Sequence, residues 1–199
     1  MTQPMLSVGF SDPVHQSQAA FRSALDALAR PGRRVTLGAP VEGLALDPAM
    51  AHLLLTLTDD DTSVWWQQGA AAPADWLRFH TGAPRADETG AAAFAVVNDA
   101  ARMPALSGFA TGSAEYPEHS ATLLIALPSL NRGPAVEWRG PGIADVFTVR
   151  LAGLPDDFWV QRQVNHAAFP QGVDLFFICG DQAIGLPQTT RVRRLEGVA

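Results

Sequence analysis

The chain has 199 residues, 47 % apolar and 17 % charged, so one globular domain spanning 1–199 is expected rather than a disordered chain. A formal net charge of −6 argues against a nonspecific nucleic-acid or membrane-surface binder. A lone cysteine excludes an internal disulfide, and the sequence has neither a long apolar run nor a signal-peptide start, which predicts a soluble, cytoplasmic protein.

The first predicted element is a helix over DPVHQSQAAFRSALDALARPG. Ser11 or Asp12 can cap it, Pro13 suits its first turn, and Pro31-Gly32 ends it. Val14, Phe21, Leu25 and Leu28 share one side at helical spacing. RRVTLG alternates as a short strand. LDPAMAHLLLTL reads as a second helix, capped by Asp47, opened by Pro48 and apolar nearly all round, hence buried. After the acidic turn DDDT comes a strand, SVWWQ. Trp65 and Trp66 point to its opposite faces, so that strand must be covered on both, by helices or by a partner chain.

Residues 73–80 (PADWLRFH) predict a short helix, and AFAVVND a strand. The stretch from Arg102 to Ser120 has no clear period and is longer than an ordinary connection, as functional or mobile loops are. ATLLIAL is a buried strand. AVEWRG and VFTVRL face each other across PGIAD as a hairpin. LPDDFWVQRQVNHAAFP is a helix closed by Pro170, VDLFFICG an apolar strand, and TTRVRRLEG an edge strand whose arginines discourage stray pairing. The pattern predicts an α/β fold, a three-layer αβα sandwich with a mixed sheet.

All fourteen basic residues are arginine; lysine is absent. No side chain can therefore form a Schiff base or serve a Walker-type loop, whereas forked binding of planar anions remains open. The bend RGPGIAD is glycine-rich beside Arg139, as phosphate loops are. Pro141 removes an amide donor, however, and a strand pattern follows instead of a helix, so Gly140–Gly142 reads as a bend. The five histidines include no HxxxH pair, so no metal is expected, and Asp59-Asp60-Asp61 reads as a solvated turn before a Mg²⁺ site. Cys179, among apolar neighbours in LFFICG, reads as a buried thiol.

Two kinds of candidate site are left. In EYPEHSA, Glu118, His119 and Ser120 are of acid, base and nucleophile type, but adjacent residues on an extended backbone point apart and cannot form a triad together. Glu118 and His119 are the candidates for a pocket rim, a surface loop being the plainer account. The arginine clusters LARPGRR (Arg30, Arg33, Arg34) and LPQTTRVRR (Arg191, Arg193, Arg194) could each hold a phosphate or phosphonate. Surface salt bridges are the duller alternative, and Arg30 can instead meet the carbonyl end of its helix. Arg30, Trp66, Glu118, His119 and Arg191 are the candidate ligand or interface residues; none is assigned a catalytic role.

QAAFRSALDALARPGR, HLLLTLTDDDT, WLRFHTGA, PEHSATLLI, RGPGI, FPQGVDLFF and LPQTTRV occur in this order along nearly the whole chain. Each is weak alone; the series resembles the PhnH family, the H subunit of the bacterial carbon–phosphorus lyase system. Two departures stand out against the family pattern: Leu28 replaces a methionine, and Gln188 replaces an arginine in LPQTT, which weakens that turn as an anion site. The resemblance implies a fold related to the pyridoxal-phosphate transferases without their cofactor, in keeping with the missing lysine. It implies a homodimer in isolation and a larger assembly with G, I and J subunits that degrades alkylphosphonates. With G, I and L, the H subunit is expected to assist transfer of the ribose triphosphate moiety of ATP to the phosphonate, releasing adenine, as an accessory rather than a catalytic chain. The alternative is a stand-alone enzyme that binds a phosphorylated ligand near Glu118 and His119.

Overall fold

The computed structural model describes residues 8–195. Among the described residues, four α-helices and ten strands follow one another as α1 (Pro13–Ala29), β1 (Arg34–Thr36), α2 (Pro48–Leu57), β2 (Val64–Trp66), α3 (Ala71–Thr81), β3 (Arg85–Ala86), β4 (Phe94–Val97), β5 (Thr122–Ala126), β6 (Ala135–Arg139), β7 (Phe147–Arg150), α4 (Phe158–Ala167), β8 (Asp174–Cys179), β9 (Gln182–Leu186) and β10 (Arg191–Arg194). None of the described helices is long and apolar enough to cross a membrane.

Seven strands form one mixed sheet in the order β1-β9-β8-β5-β4-β2-β3. β3, β2, β4, β5 and β8 run parallel, and β9 is antiparallel to both neighbours. The central strands read FAVV, TLLIA and DLFFIC because both of their faces are buried, which forces a continuous apolar run instead of alternation. β9 is absent from the sequence reading. It is joined to β8 by the two-residue turn Gly180-Asp181, with Gly180 at φ +61°, a hairpin signature that was available in the sequence.

On one face lie α1, α2 and α3. Met50, Leu53 and Leu54 of α2 and Trp76 and Leu77 of α3 pack on Trp66, Val96, Leu124, Phe176 and Ile178 of the sheet. α2 is buried as expected. Asp47 stands at its N-cap position, but its side chain makes no capping hydrogen bond; it bonds the Gly180 amide, and burial raises its pKa above the usual carboxylate value despite that bond.

α1 buries a face other than the one that its large apolar residues share. Its buried face is Ala20, Ala24 and Ala27, whereas Val14, Phe21 and Leu25 are exposed by 63, 47 and 52 %. The reason is distance. Gly185 of β9 lies so near the helix that a Cβ there would stand 2.6 Å from the Ala27 carbonyl oxygen. Only small residues permit that approach, so the bulky ones are turned outward.

The other face carries a third layer that is not purely helical, a correction to the αβα expectation. A separate three-stranded antiparallel sheet, β10-β6-β7, and α4 cover it together. Trp138 of β6 and Phe158 and Trp159 of α4 surround Phe177 of β8, with ring centroids 6.3, 5.8 and 6.3 Å from it. Each such ring, fully buried, contributes on the order of 3 kcal/mol. The β6–β7 hairpin and the β10 edge strand match the sequence reading, but the small sheet they build was not foreseen.

The segment 102–120 helps to complete this layer. It forms short 3-10 turns, and it buries Leu106 and Phe109. Phe109 meets Trp65 edge-on at 5.8 Å, while Trp66 packs into the helical side. Both faces of β2 are thus covered by the chain itself. Cys179, at the end of β8, is partly buried rather than buried.

His52 of α2 is 5 % exposed and lies against Phe10, with ring centroids 4.9 Å apart. Gly38, at φ +63°, crosses it so closely that a Cβ would overlap the ring. Burial lowers the His52 pKa below its ordinary 6.5, and a hydrogen bond to the Ala39 backbone opposes the shift only in part. The unfolded chain then binds the proton more readily than the folded one. His52 should contribute full stability above about pH 6.5 and lose it as pH falls through the depressed folded value. Urea unfolding at pH 7.5 and pH 5 should show a loss of stability on acidification that is smaller in His52→Gln. Equal losses in both proteins would refute the assignment.

Candidate functional site

The two arginine-bearing turns singled out in the sequence, ARPGRR and RGPGIAD, meet in space. The C-terminal turn of α1 packs against the β6–β7 loop, and glycine makes the contact possible at both places. Gly142 (φ +79°) lies on α1 so closely that a Cβ would stand 1.9 Å from the Ala29 carbonyl oxygen. Gly32 (φ +91°) admits the Phe147 ring in the same way, a Cβ there falling 2.5 Å from the ring. A hydrogen bond from the Ile143 amide to the Gly140 carbonyl, 3.1 Å, closes the bend, which is therefore a hairpin turn as read from Pro141.

Between these turns opens a cleft of about 700 Å³. Arg30, Arg33, Arg34 and Arg150 supply its cations, and Ile143, Phe147 and Val149 its apolar wall. Asp26, one helical turn before Arg30, organises one side. It pairs with the Arg30 guanidinium and lies 3.8 Å from Arg33 Nε. The Arg30 amide donates to the Asp26 carbonyl as the last backbone bond of the helix, while its guanidinium goes to the Asp26 carboxylate and lines the cleft. Asp145, across the cleft, accepts from Arg139 at 3.1 Å. Arg34 has no salt-bridge partner among the described residues, and Arg150 donates to the Gly133 carbonyl at 3.0 Å. Arg150 escaped the sequence reading because nothing in VFTVRL signals that it lines the same cleft as the arginines that follow α1.

The other candidates lie elsewhere. Arg191 is exposed on β10 beside Arg139 and Arg193, at a smaller cleft of about 330 Å³. Arg193 there is bound to Glu137 at 2.6 Å. Trp66 is 4 % exposed and belongs to the core. Glu118 and His119 are exposed on a 3-10 turn; His119 stacks on Tyr116 at 5.4 Å, and neither lines the cleft that holds Arg30. No group of three or more His, Cys, Asp or Glu gathers among the described residues. Asp59 folds back to accept from the Asp61 amide at 3.2 Å, as a turn residue does.

The LPQTT turn is occupied by the protein itself. Arg162 of α4 is fully buried, and its Nη2 donates to the Pro187 carbonyl at 2.6 Å and the Thr190 carbonyl at 3.1 Å. His166 Nδ1 donates to the Gln188 carbonyl at 2.8 Å, and the Gln188 amide donates to Asp174 at 2.7 Å. Burial pushes Arg162 down to about 10, opposed by the charge of Asp174; burial likewise raises Asp174, opposed by the Gln188 amide and by Arg162. The turn's carbonyls are aimed at a cation, the reverse of an anion cradle.

The family model described as bacterial phosphonate metabolism protein (PhnH) matches residues 8–193, which include both arginine turns and the buried Arg162. The chain belongs to the PhnH family. Among PhnH relatives, it is 38 % identical over 194 residues to the alpha-D-ribose 1-methylphosphonate 5-triphosphate synthase subunit PhnH of Rhizobium meliloti (strain 1021), covering 94 % of this chain and 96 % of that one. It is 30 % identical over 177 residues to the "Putative C-P lyase subunit protein HtxG" of Stutzerimonas stutzeri, covering 89 % and 86 %.

In this PhnH chain the cleft depends on a backbone contact that no side chain tolerates. Gly142→Ala should cost about 2–4 kcal/mol, combining positive-φ strain with the clash on Ala29. Gly69→Ala, with similar φ (+90°) but nothing within 4 Å, isolates the strain and should cost about 1 kcal/mol. Equal losses in urea unfolding would show that the contact between the turns carries no energy.

Proposed function

We propose that this chain is the H-type subunit of a carbon–phosphorus lyase system for phosphonate catabolism. With G, I and L subunits it assists transfer of the ribose triphosphate moiety of ATP to an alkylphosphonate, with release of adenine, and it assembles with G, I and J. The observation that carries this reading is the end-to-end similarity to the Rhizobium PhnH subunit, 94 % of one chain against 96 % of the other.

The part assigned to this chain is accessory: it supplies surface and binding groups, and the bond-making residues lie on other subunits. The exposed arrangement of Glu118 and His119, with stacking on Tyr116 in place of an acid–base pairing, supports this over a stand-alone enzyme. In isolation the chain is a homodimer on this reading. The exposed Val14, Phe21 and Leu25 on one side of α1 support an interface, because large apolar side chains grouped on a surface favour burial. The kinship to pyridoxal-phosphate transferases is part of the same reading. It concerns fold and not chemistry, since lysine is absent. The proposed compartment is the cytoplasm, where ATP is available.

Co-expression with G, I and J subunits, followed by size-exclusion chromatography, should yield one complex containing this chain. The chain alone, given ATP and methylphosphonate, should release no adenine. Failure to join the complex, or turnover by the isolated chain, would overturn the proposal.

A further inference from the structure

Two arginine groups lie on the surface, and they differ in how far the protein's own acids neutralise them. Beside Arg191, Arg193 is held by Glu137 and Arg139 by Asp145. In the larger cleft the lining residues include four arginines and one aspartate, and that aspartate faces Arg139. Asp26 answers Arg30 and Arg33 together. Arg34 and Arg150 are left with no carboxylate partner among the described residues.

These two guanidinium groups, of which Arg150 also donates to the Gly133 carbonyl, share the cleft with an apolar wall, in which Phe147 is 43 % exposed and Ile143 and Val149 adjoin. Arginine forks match phosphate oxygens, and a neighbouring low-dielectric surface strengthens the attraction. At about 700 Å³ the space exceeds that of one oxyanion and falls in the range of small-molecule sites. Its chemistry suits a ligand with a chain of phosphates at one end and a sugar or ring at the other.

We propose that this cleft binds a small organic polyphosphate, its phosphates against Arg34 and Arg150 and its organic part against Phe147 and Ile143. Asp26 acts as a positioning residue that holds Arg30 and Arg33 at the rim. The choice of an organic triphosphate as the probe rests on the functional reading above; the site itself rests on the uncompensated charge and the wall.

Calorimetric titration of the full chain tests this with ATP, inorganic tripolyphosphate and AMP. ATP should bind once per chain, more tightly than either of the others. Arg34→Ala combined with Arg150→Ala should weaken ATP binding by about tenfold or more, and Arg191→Ala should leave it unchanged. Both altered side chains are exposed, so the double variant should keep the circular dichroism spectrum and melting temperature of the wild type; Arg34→Glu gives a second variant with the same expected loss. No ATP binding at millimolar concentration, or binding unaffected by the double variant, would overturn the site. Tripolyphosphate binding as tightly as ATP would overturn the role of the wall. The double variant should still enter the complex with G, I and J; its exclusion would show that the cleft receives an acidic protein surface instead. If the wild type joins the complex but binds no ATP, this inference fails and the subunit assignment stands.

Discussion

Phe177 must be covered. It lies in a central strand of the large sheet, between Phe176 and Ile178, which point into the helical layer, so the strand has no face to give to water. The backbone polar groups are satisfied by β5 on one side and β9 on the other. Apolar burial then demands a layer on each side, and the two layers are built differently. On one side, α1 lies close to the sheet through small contact residues, and the larger side chains of α2 and α3 fill the remainder. On the other, Trp138, Phe158 and Trp159 fill the larger gap with rings delivered by a strand and a helix. The fold is a consequence of covering one sheet twice with unlike material.

The placement of the cleft follows from that asymmetry. α1 reaches β9 by way of Ala27 and Gly185, and this close seating brings the helix's last turn level with the β6–β7 loop from the opposite layer. Gly142 and Gly32 let the two loops touch through backbone and ring. The arginines that flank these glycines cannot follow them inward, since a guanidinium needs a partner or water. They stay at the rim and form a cationic edge on a chain of net charge −6. Arg162 shows the opposite solution: where an arginine does go inside, Pro187 and Thr190 turn their carbonyls to meet it, and the LPQTT turn takes its shape from that demand.

Local order in the chain was largely legible. Asp12 accepts from the His15 amide as a cap should, Gly82 ends α3 in the left-handed conformation, and the parallel core strands announce themselves as apolar runs. β9 was missed because it is short and Gly185 interrupts its apolar pattern, although the Gly180-Asp181 turn before it is a hairpin signal. The orientation of α1 was not legible, because helical periodicity reports which residues share a face and not which face the protein covers. For the site, the two arginine turns could be read separately, yet nothing in either shows that they meet. The meeting depends on a contact between residues 29 and 142, more than one hundred positions apart.

What the sequence determined by itself is the chemistry available and the local geometry. It has arginine without lysine, bends where glycine and proline require them, and strands too apolar to face solvent. The tertiary structure alone decided which of those groups became neighbours. It buried Trp66 and Arg162, left Glu118 and His119 on the surface, and set Arg34 and Arg150 in one cleft with no carboxylate partner among the described residues. The physical reason is that spacing along a chain controls only the nearest few residues, whereas neutralisation and burial depend on all the elements that packing brings within a few ångströms.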